Sequence, residues 1–211
     1  ELIIEDDASN PDTALQKARR LVEQNNVHFL TGNLLANTGL AVANYVKGTG
    51  TPYFIPIIAA DELTQRARIP NVIRTAGYSG SAFPRPLADW ALKQGYKRIA
   101  TVSQDYTFGH EQCGGFSQVF TEGGGAIVQQ FNSFGLKGKI PLLGAMNMTD
   151  QSVIRTMGAE VDGIISAAHF AEGADIPATK EFVEAYTKKY EKIPSLYGFS
   201  MYSGMMWISK T

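Results

Sequence analysis

The chain has 211 residues, a formal net charge of −1 and 44% apolar residues, enough for one large core or two modest ones. The absence of a basic excess argues against nucleic acid as a partner, and no apolar run approaches the ~20 residues of a membrane-spanning helix. The single cysteine, Cys113, rules out an internal disulfide and a cysteine-rich metal site.

The opening run Glu1-Leu-Ile-Ile-Glu-Asp-Asp7 reads as a strand ending in acids. Asn10 and Pro11 suit the cap and first position of a helix over about Pro11 to Gln24, with Ala14, Leu15, Ala18, Leu21 and Val22 as its apolar stripe and Lys17, Arg19 and Arg20 on its solvent side. A strand over about 27–31, containing His28, leads to the glycine-bearing loop Thr31-Gly-Asn33-Leu-Leu-Ala36-Asn37. A helix over about Asn37 to Lys47 follows, stopped by Gly48 and Gly50, then a strand at Thr51–Pro56 and a short one at Asn71–Thr75. Next come a helix over about Ala82 to Gln94, a strand at Arg98–Ser103, and the polar and aromatic loop Gln104-Asp-Tyr-Thr-Phe-Gly109. A helix over about Glu111 to Glu122 and strands at Ala126–Phe131, Ile140–Leu143 and Asp162–Ala167 continue the alternation. Helices over about Ala178 to Tyr190 and Gly198 to Ser209 close it. Alternating strands and helices predict an α/β fold with parallel sheets.

Two places resist this scheme. The chain begins inside an expected strand, with no charged leader or cleavage site, which reads as an export signal and more removed, or as a fragment. After Phe131, the eight residues from Asn132 to Lys139 are too few for a parallel crossover of roughly 10–12 residues, so a stretch is expected to be missing between Phe131 and Asn132.

No catalytic signature emerges. There is no G-x-S-x-G, Gly138-Lys139 lacks the spacing of a phosphate loop, and Gly48-Thr-Gly50 is not continued as a dinucleotide fingerprint. His28, His110 and His169 lack metal-ligand spacing; His28 reads as structural, and His169, in a loop after a strand, as a candidate ligand contact. The acidic pairs Asp6-Asp7 and Asp61-Glu62 read as solvated strand and loop ends. The expectation is therefore no enzyme, no cofactor and no metal.

What stands out is the apolarity of the loops after strands. Asn33-Leu-Leu35-Ala36, Ile57-Ile58-Ala59-Ala60, Tyr106 with Phe108, Met146-Asn147-Met148 and His169-Phe170 are five such clusters. In open α/β sheets ligands bind beyond the carboxyl ends of the strands. Apolar loops there predict a small-molecule pocket with few polar anchors.

At this point the residues resemble a family. The run Asp6-Asp7-Ala-Ser-Asn10-Pro11-Asp-Thr-Ala14, followed by Ala18-Arg-Arg-Leu21-Val22, Val27 and Gly32, is similar to the periplasmic solute-binding proteins of branched-chain amino-acid-type ABC transporters. Thr51-Pro52, Glu62-Leu63-Thr64, Val72-Ile-Arg74-Thr75, Asp105-Tyr-Thr-Phe-Gly109, Phe134-Gly-Leu-Lys-Gly138, Asp162-Gly163 and Pro194-Ser195-Leu-Tyr197 continue the match in order. The resemblance implies two doubly wound parallel-sheet lobes joined by a hinge: lobe 1 at 1–76 and 172–211, lobe 2 at 77–171, with crossovers near Ala76–Gly77 and Phe170–Glu172. It also implies that the first strand and helix, the stretch after Phe131 and the C-terminal end are absent. A ligand would bind in the cleft between the lobes, against Asn33, Leu35, Ala36, Asn37, Ile58, Ala59, Ala60, Tyr106, Phe108, Asn147 and His169. Amino-acid binders of the family place hydroxyls near Ala36 and Ala59 and an acid near Met146–Asn147, and this chain does not. The expected ligand is therefore an aromatic or other apolar carboxylate, held by backbone amides and delivered in the periplasm to the membrane subunits of an ABC importer. The alternatives are a branched-chain or other amino acid, or a sensor or receptor domain of the same fold.

Overall fold

A computed structural model describes residues 1–75, 78–128, 141–144 and 146–210, with only the backbone of Val128, Asn147 and Glu160. The expected crossover at Ala76–Gly77, the gap at Phe131–Asn132 and the Phe134–Gly138 motif lie outside the described residues. By its contacts the chain forms two compact units, Glu1–Ser79 with Tyr106–Phe108 and Ser200–Thr211, and Gly80–Asp105 with Gly109–Phe199. Residues 172–199, assigned by the resemblance to the first lobe, group with the second unit. Phe182 and Phe199 pack on Phe170 there, the last pair stacked at 4.4 Å between ring centroids.

The first unit is built on a parallel sheet of β1 (Leu30–Thr31), β2 (Tyr53–Ile55) and β3 (Val72–Arg74), in that order. Leu30 lies opposite Tyr53, and Tyr53 opposite Val72. Helix α1 (Pro11–Arg19) starts where the sequence predicts, because the Asn10 carboxamide oxygen accepts from the amides of Asp12 and Thr13 at 3.0 Å. It runs on as a π turn over Arg20–Gln24. Helix α2 (Ala36–Thr49) ends at Gly50, whose φ of 73° supplies the left-handed cap. Small residues (Ala14 and Ala18 on α1, Ala43 on α2) join Val46, Leu30, Tyr53 and Ile55 in one buried core.

The expected strand at the N-terminus does not form. Leu2 and Ile4 are 75% and 81% exposed, and residues 1–6 take no regular structure. A strand exists only by pairing, and among the described residues β1 is bonded only to β2. The segment is held through its acids instead. Glu5 receives Lys17 at 2.7 Å and Arg20 at 3.2 Å, and the Lys17 hydrogen bond lowers the Glu5 pKa. His28, expected inside a strand, precedes β1 and is exposed.

The second unit carries α3 (Arg85–Lys93), β4 (Arg98–Ala100), α4 (Thr107–Glu122), β5 (Ala126–Val128), β6 (Leu143–Gly144), α5 (Gln151–Met157), β7 (Ile165–Ser166), α6 (Pro177–Tyr190) and the start of α7 (Leu196–Ile208). β4 pairs with β5 and β6 with β7, both in parallel. Leu87, Ala88 and Ala91 of α3 meet Phe116 and Phe120 of α4 in its core. Helix α4 begins earlier than the sequence reading places it, so Phe108 lies in its first turn rather than in a loop. Gly109 permits this: a Cβ there would stand 2.2 Å from the Gln104 carbonyl oxygen. Helix α5 is not anticipated by the sequence reading, although Asp150 caps it.

Candidate functional site

The loops after β1 and β2 come together in the first unit. Gly39, in the first turn of α2, lets the Ile58 side chain lie against the helix; a Cβ at Gly39 would stand 2.2 Å from Ile58 Cδ1. The segment Ile57–Ala60 is thereby held beside the start of α2. Leu35 is the N-cap, with extended φ and ψ of −79° and 143° and no side-chain capping bond. Ala36 is buried and Asn37 exposed, its carboxamide oxygen accepting from the Thr38 amide at 3.0 Å. Ile58, Ala59 and Ala60 are buried. Among the described residues, the backbone amides of Ile58, Ala59 and Ala60, and those of Ala36 and Asn37, donate no hydrogen bond. Buried amides are ordinarily paired, so the four on the buried residues Ala36, Ile58, Ala59 and Ala60, beside that of exposed Asn37, are donors an anion can use.

Asn33 is engaged internally at both ends of its amide. Its Nδ2 donates to Asp7 Oδ2 at 2.6 Å, and Tyr53 Oη donates to its Oδ1 at 2.6 Å. Its backbone takes the left-handed region, φ 57°, a conformation asparagine tolerates well. Burial, and then the Asp7 charge, raises the Tyr53 pKa, which keeps that hydroxyl a donor. This chain borders a cavity of about 320 Å³ lined also by Glu5, Lys17 and Leu30. Ile58, Ala59 and Ala60 do not line it.

Tyr106 and Phe108 group by contact with the first unit, their ring centroids 6.1 Å apart. Both are half-buried, and burial raises the Tyr106 pKa. They offer an apolar surface with one hydroxyl. Asn147 and His169 belong to the second unit. Asn147 sits in the 3-10 turn Met146–Thr149, and its side chain lies outside the described residues. The His169 ring packs 6.3 Å from that of Phe199. Sequence reasoning passed over Arg74 and Tyr78, which hydrogen-bond the carbonyls of the Ile57–Ala60 segment. The available signal was an arginine ending an otherwise apolar strand.

Burial depresses the His169 pKa. The unfolded chain takes up a proton near pH ~6.5 while the folded protein resists it. The resulting stability is full above that pH and declines as pH falls below it. The melting midpoint is expected to drop more for the wild type than for His169→Gln between pH ~7.5 and ~5.5. Equal drops in calorimetry would refute this role for the ring.

No helix among the described residues is long and apolar enough to cross a membrane, and no metal-binding cluster occurs among them. The periplasmic binding protein family model matches residues 1–132 and 126–211. A Leu/Ile/Val-binding protein homolog from Brucella abortus is 24% identical over 226 residues, covering 86% of this chain and 57% of that protein. The chain thus spans a little over half the length of this curated relative. An ABC transporter substrate-binding protein from Sphaerobacter thermophilus is 28% identical, with a TM-score of 0.87 over 97% of this chain and 67% of that one. A solute-binding protein of an ABC transporter from R. palustris, solved in complex with benzoate, is 23% identical, with a TM-score of 0.82 over 95% of this chain and 66% of that one.

Proposed function

Since the chain belongs to the periplasmic binding protein family, we propose that it captures a small apolar carboxylate outside the cytoplasm and passes it to the membrane subunits of an ABC importer, with an aromatic acid as the preferred ligand. The observation that carries this reading is the run of unpaired buried amides at Ile58–Ala60 beside those of Ala36 and Asn37. These donors suit a carboxylate, and alanines stand at 36 and 59, near where the resemblance implies that amino-acid binders place hydroxyls for a ligand's carboxylate and ammonium. Burying an unpaired ammonium costs several kcal/mol, which disfavours a zwitterion. An aromatic ring of roughly 150–200 Å² packed on groups such as Tyr106 and Phe108 contributes about 4–5 kcal/mol. Charge-assisted hydrogen bonds at ~1.5–3 kcal/mol each bring the total to the ~8 kcal/mol of micromolar binding. The benzoate held by the R. palustris protein agrees with this chemistry. The name of the Brucella relative favours a second reading, a branched-chain amino acid.

Thermal shift on the full-length protein with benzoate, cinnamate and L-leucine separates the two. Ligand at ~100 Kd is expected to add about 2.7 kcal/mol of stability. A shift with an aromatic acid and none with leucine supports the proposal. A shift with leucine alone replaces it with the amino-acid reading.

A further inference from the structure

The segment Ile57–Ala60 has no polar side chain to fix the direction of its own peptide groups. Two residues, one in β3 and one further along the chain, do so. Tyr78 Oη donates to the Ile57 carbonyl at 2.6 Å. Arg74 forks across the same segment: Nη1 donates to the Ile58 carbonyl, Nη2 to the Ala60 carbonyl at 2.7 Å, and Nε to Thr64 Oγ1 at 3.1 Å. A peptide unit is planar and trans, so its carbonyl and the following N–H point in opposite directions. Fixing the Ile57 carbonyl therefore aims the Ile58 amide away from Tyr78. Fixing the Ile58 carbonyl likewise aims the Ala59 amide away from Arg74. These are two of the buried amides that donate no hydrogen bond among the described residues.

We propose that Arg74 and Tyr78 are the positioning residues of the carboxylate seat, setting the site's preference for a carboxylate over a neutral isostere without touching the ligand; this rests on the carboxylate reading above. The guanidinium suits the task because its planar fork reaches two carbonyls at once, which a lysine ammonium cannot reproduce. Donors held in place before the ligand arrives need no reorganisation when it binds.

The test compares benzoate with benzamide, which keeps the ring and loses the charge. Both are titrated calorimetrically into the full-length wild type, Arg74→Lys, Arg74→Gln and Tyr78→Phe, with the unfolding midpoint measured alongside. Both Arg74 variants are expected to lose about tenfold or more in benzoate affinity, and Tyr78→Phe about threefold, the scale of one misdirected charge-assisted bond. Benzamide affinity is expected to stay within about twofold, so the ratio falls. A lowered midpoint with an unchanged ratio shows a merely structural role and overturns the proposal. Full rescue by Arg74→Lys also overturns it, in favour of a point charge. Should the Arg74 variants fail to fold, the ratio in Tyr78→Phe decides alone, and no change there overturns the proposal. If the wild type binds leucine and not benzoate, the aromatic preference fails by itself, and leucine against leucinamide tests the positioning role. A wild type that binds no carboxylate overturns both.

Discussion

Gly115→Val is expected to destabilise the protein by about 3 kcal/mol or more, lowering the melting midpoint by roughly 6–12 °C. A Cβ on Gly115 would stand 1.9 Å from the Ser81 carbonyl oxygen, 2.7 Å from its carbon and 2.8 Å from its Cα. All three are backbone atoms, which have no rotamer to give way, so helix α4 or the 80–81 segment must move. At Gly80 a new Cβ would meet Glu111, at 2.2 Å from its Oε2 and 2.9 Å from its Cβ. The carboxylate can rotate away but the Cβ cannot, so a substitution there is also expected to destabilise. The neighbouring Gly114→Ala is the control, because nothing lies within 4 Å of its Cβ position. It is expected to gain about 0.5–1 kcal/mol from helix propensity alone. Thermal melts of the two variants should therefore move in opposite directions. A Gly115→Val midpoint within about 2 °C of the wild type would show that α4 is not pressed against residues 80–81.

The adjacent glycines show where sequence reading stops. In the sequence Gly114 and Gly115 are neighbouring glycines of one helix; only the tertiary approach of Ser81 distinguishes them. Elsewhere local signals were enough. Asn10 and Pro11 announced α1, and apolar runs bounded by glycine and proline announced β1 to β3, because caps and strand ends are local chemistry. Leu2 to Ile4 misled for the converse reason, since an apolar run predicts a strand only where a neighbour supplies its hydrogen bonds. The sequence offers the candidate loops Asn33–Asn37 and Ile58–Ala60 from their position after strands, with backbone amides as their anchors. Which of those amides go unpaired is not legible, because Ala59 and Ala60 have no polar side chain to read. Arg74 enters the sequence reading only through the Val72-Ile-Arg74-Thr75 resemblance, and nothing local shows that its donors reach carbonyls remote in sequence.

Asp150 was equally silent in the sequence, and its replacement by alanine is expected to cost about 2–4 kcal/mol. The residue is 5% exposed and binds in two directions within the second unit. Its Oδ1 caps α5 by accepting from the Ser152 amide at 2.9 Å and from the Ser152 hydroxyl. Its Oδ2 accepts from the Leu196 amide at 2.8 Å, tying the end of the Met146–Thr149 turn to the start of α7. Loss of the cap accounts for about 1 kcal/mol. Removing the acceptor of a buried amide adds about 1–3 kcal/mol. The two parts are separable. Asp150→Ser keeps a capping oxygen but is too short to reach Leu196, so it is expected to recover only the capping share. Asp150→Asn keeps the length but replaces one of the two accepting oxygens with an NH₂, so it is expected to fall between serine and the wild type. Urea denaturation of the three variants should rank them alanine, serine, asparagine in rising stability. A serine variant as stable as the wild type would show that the Leu196 bond contributes nothing to stability.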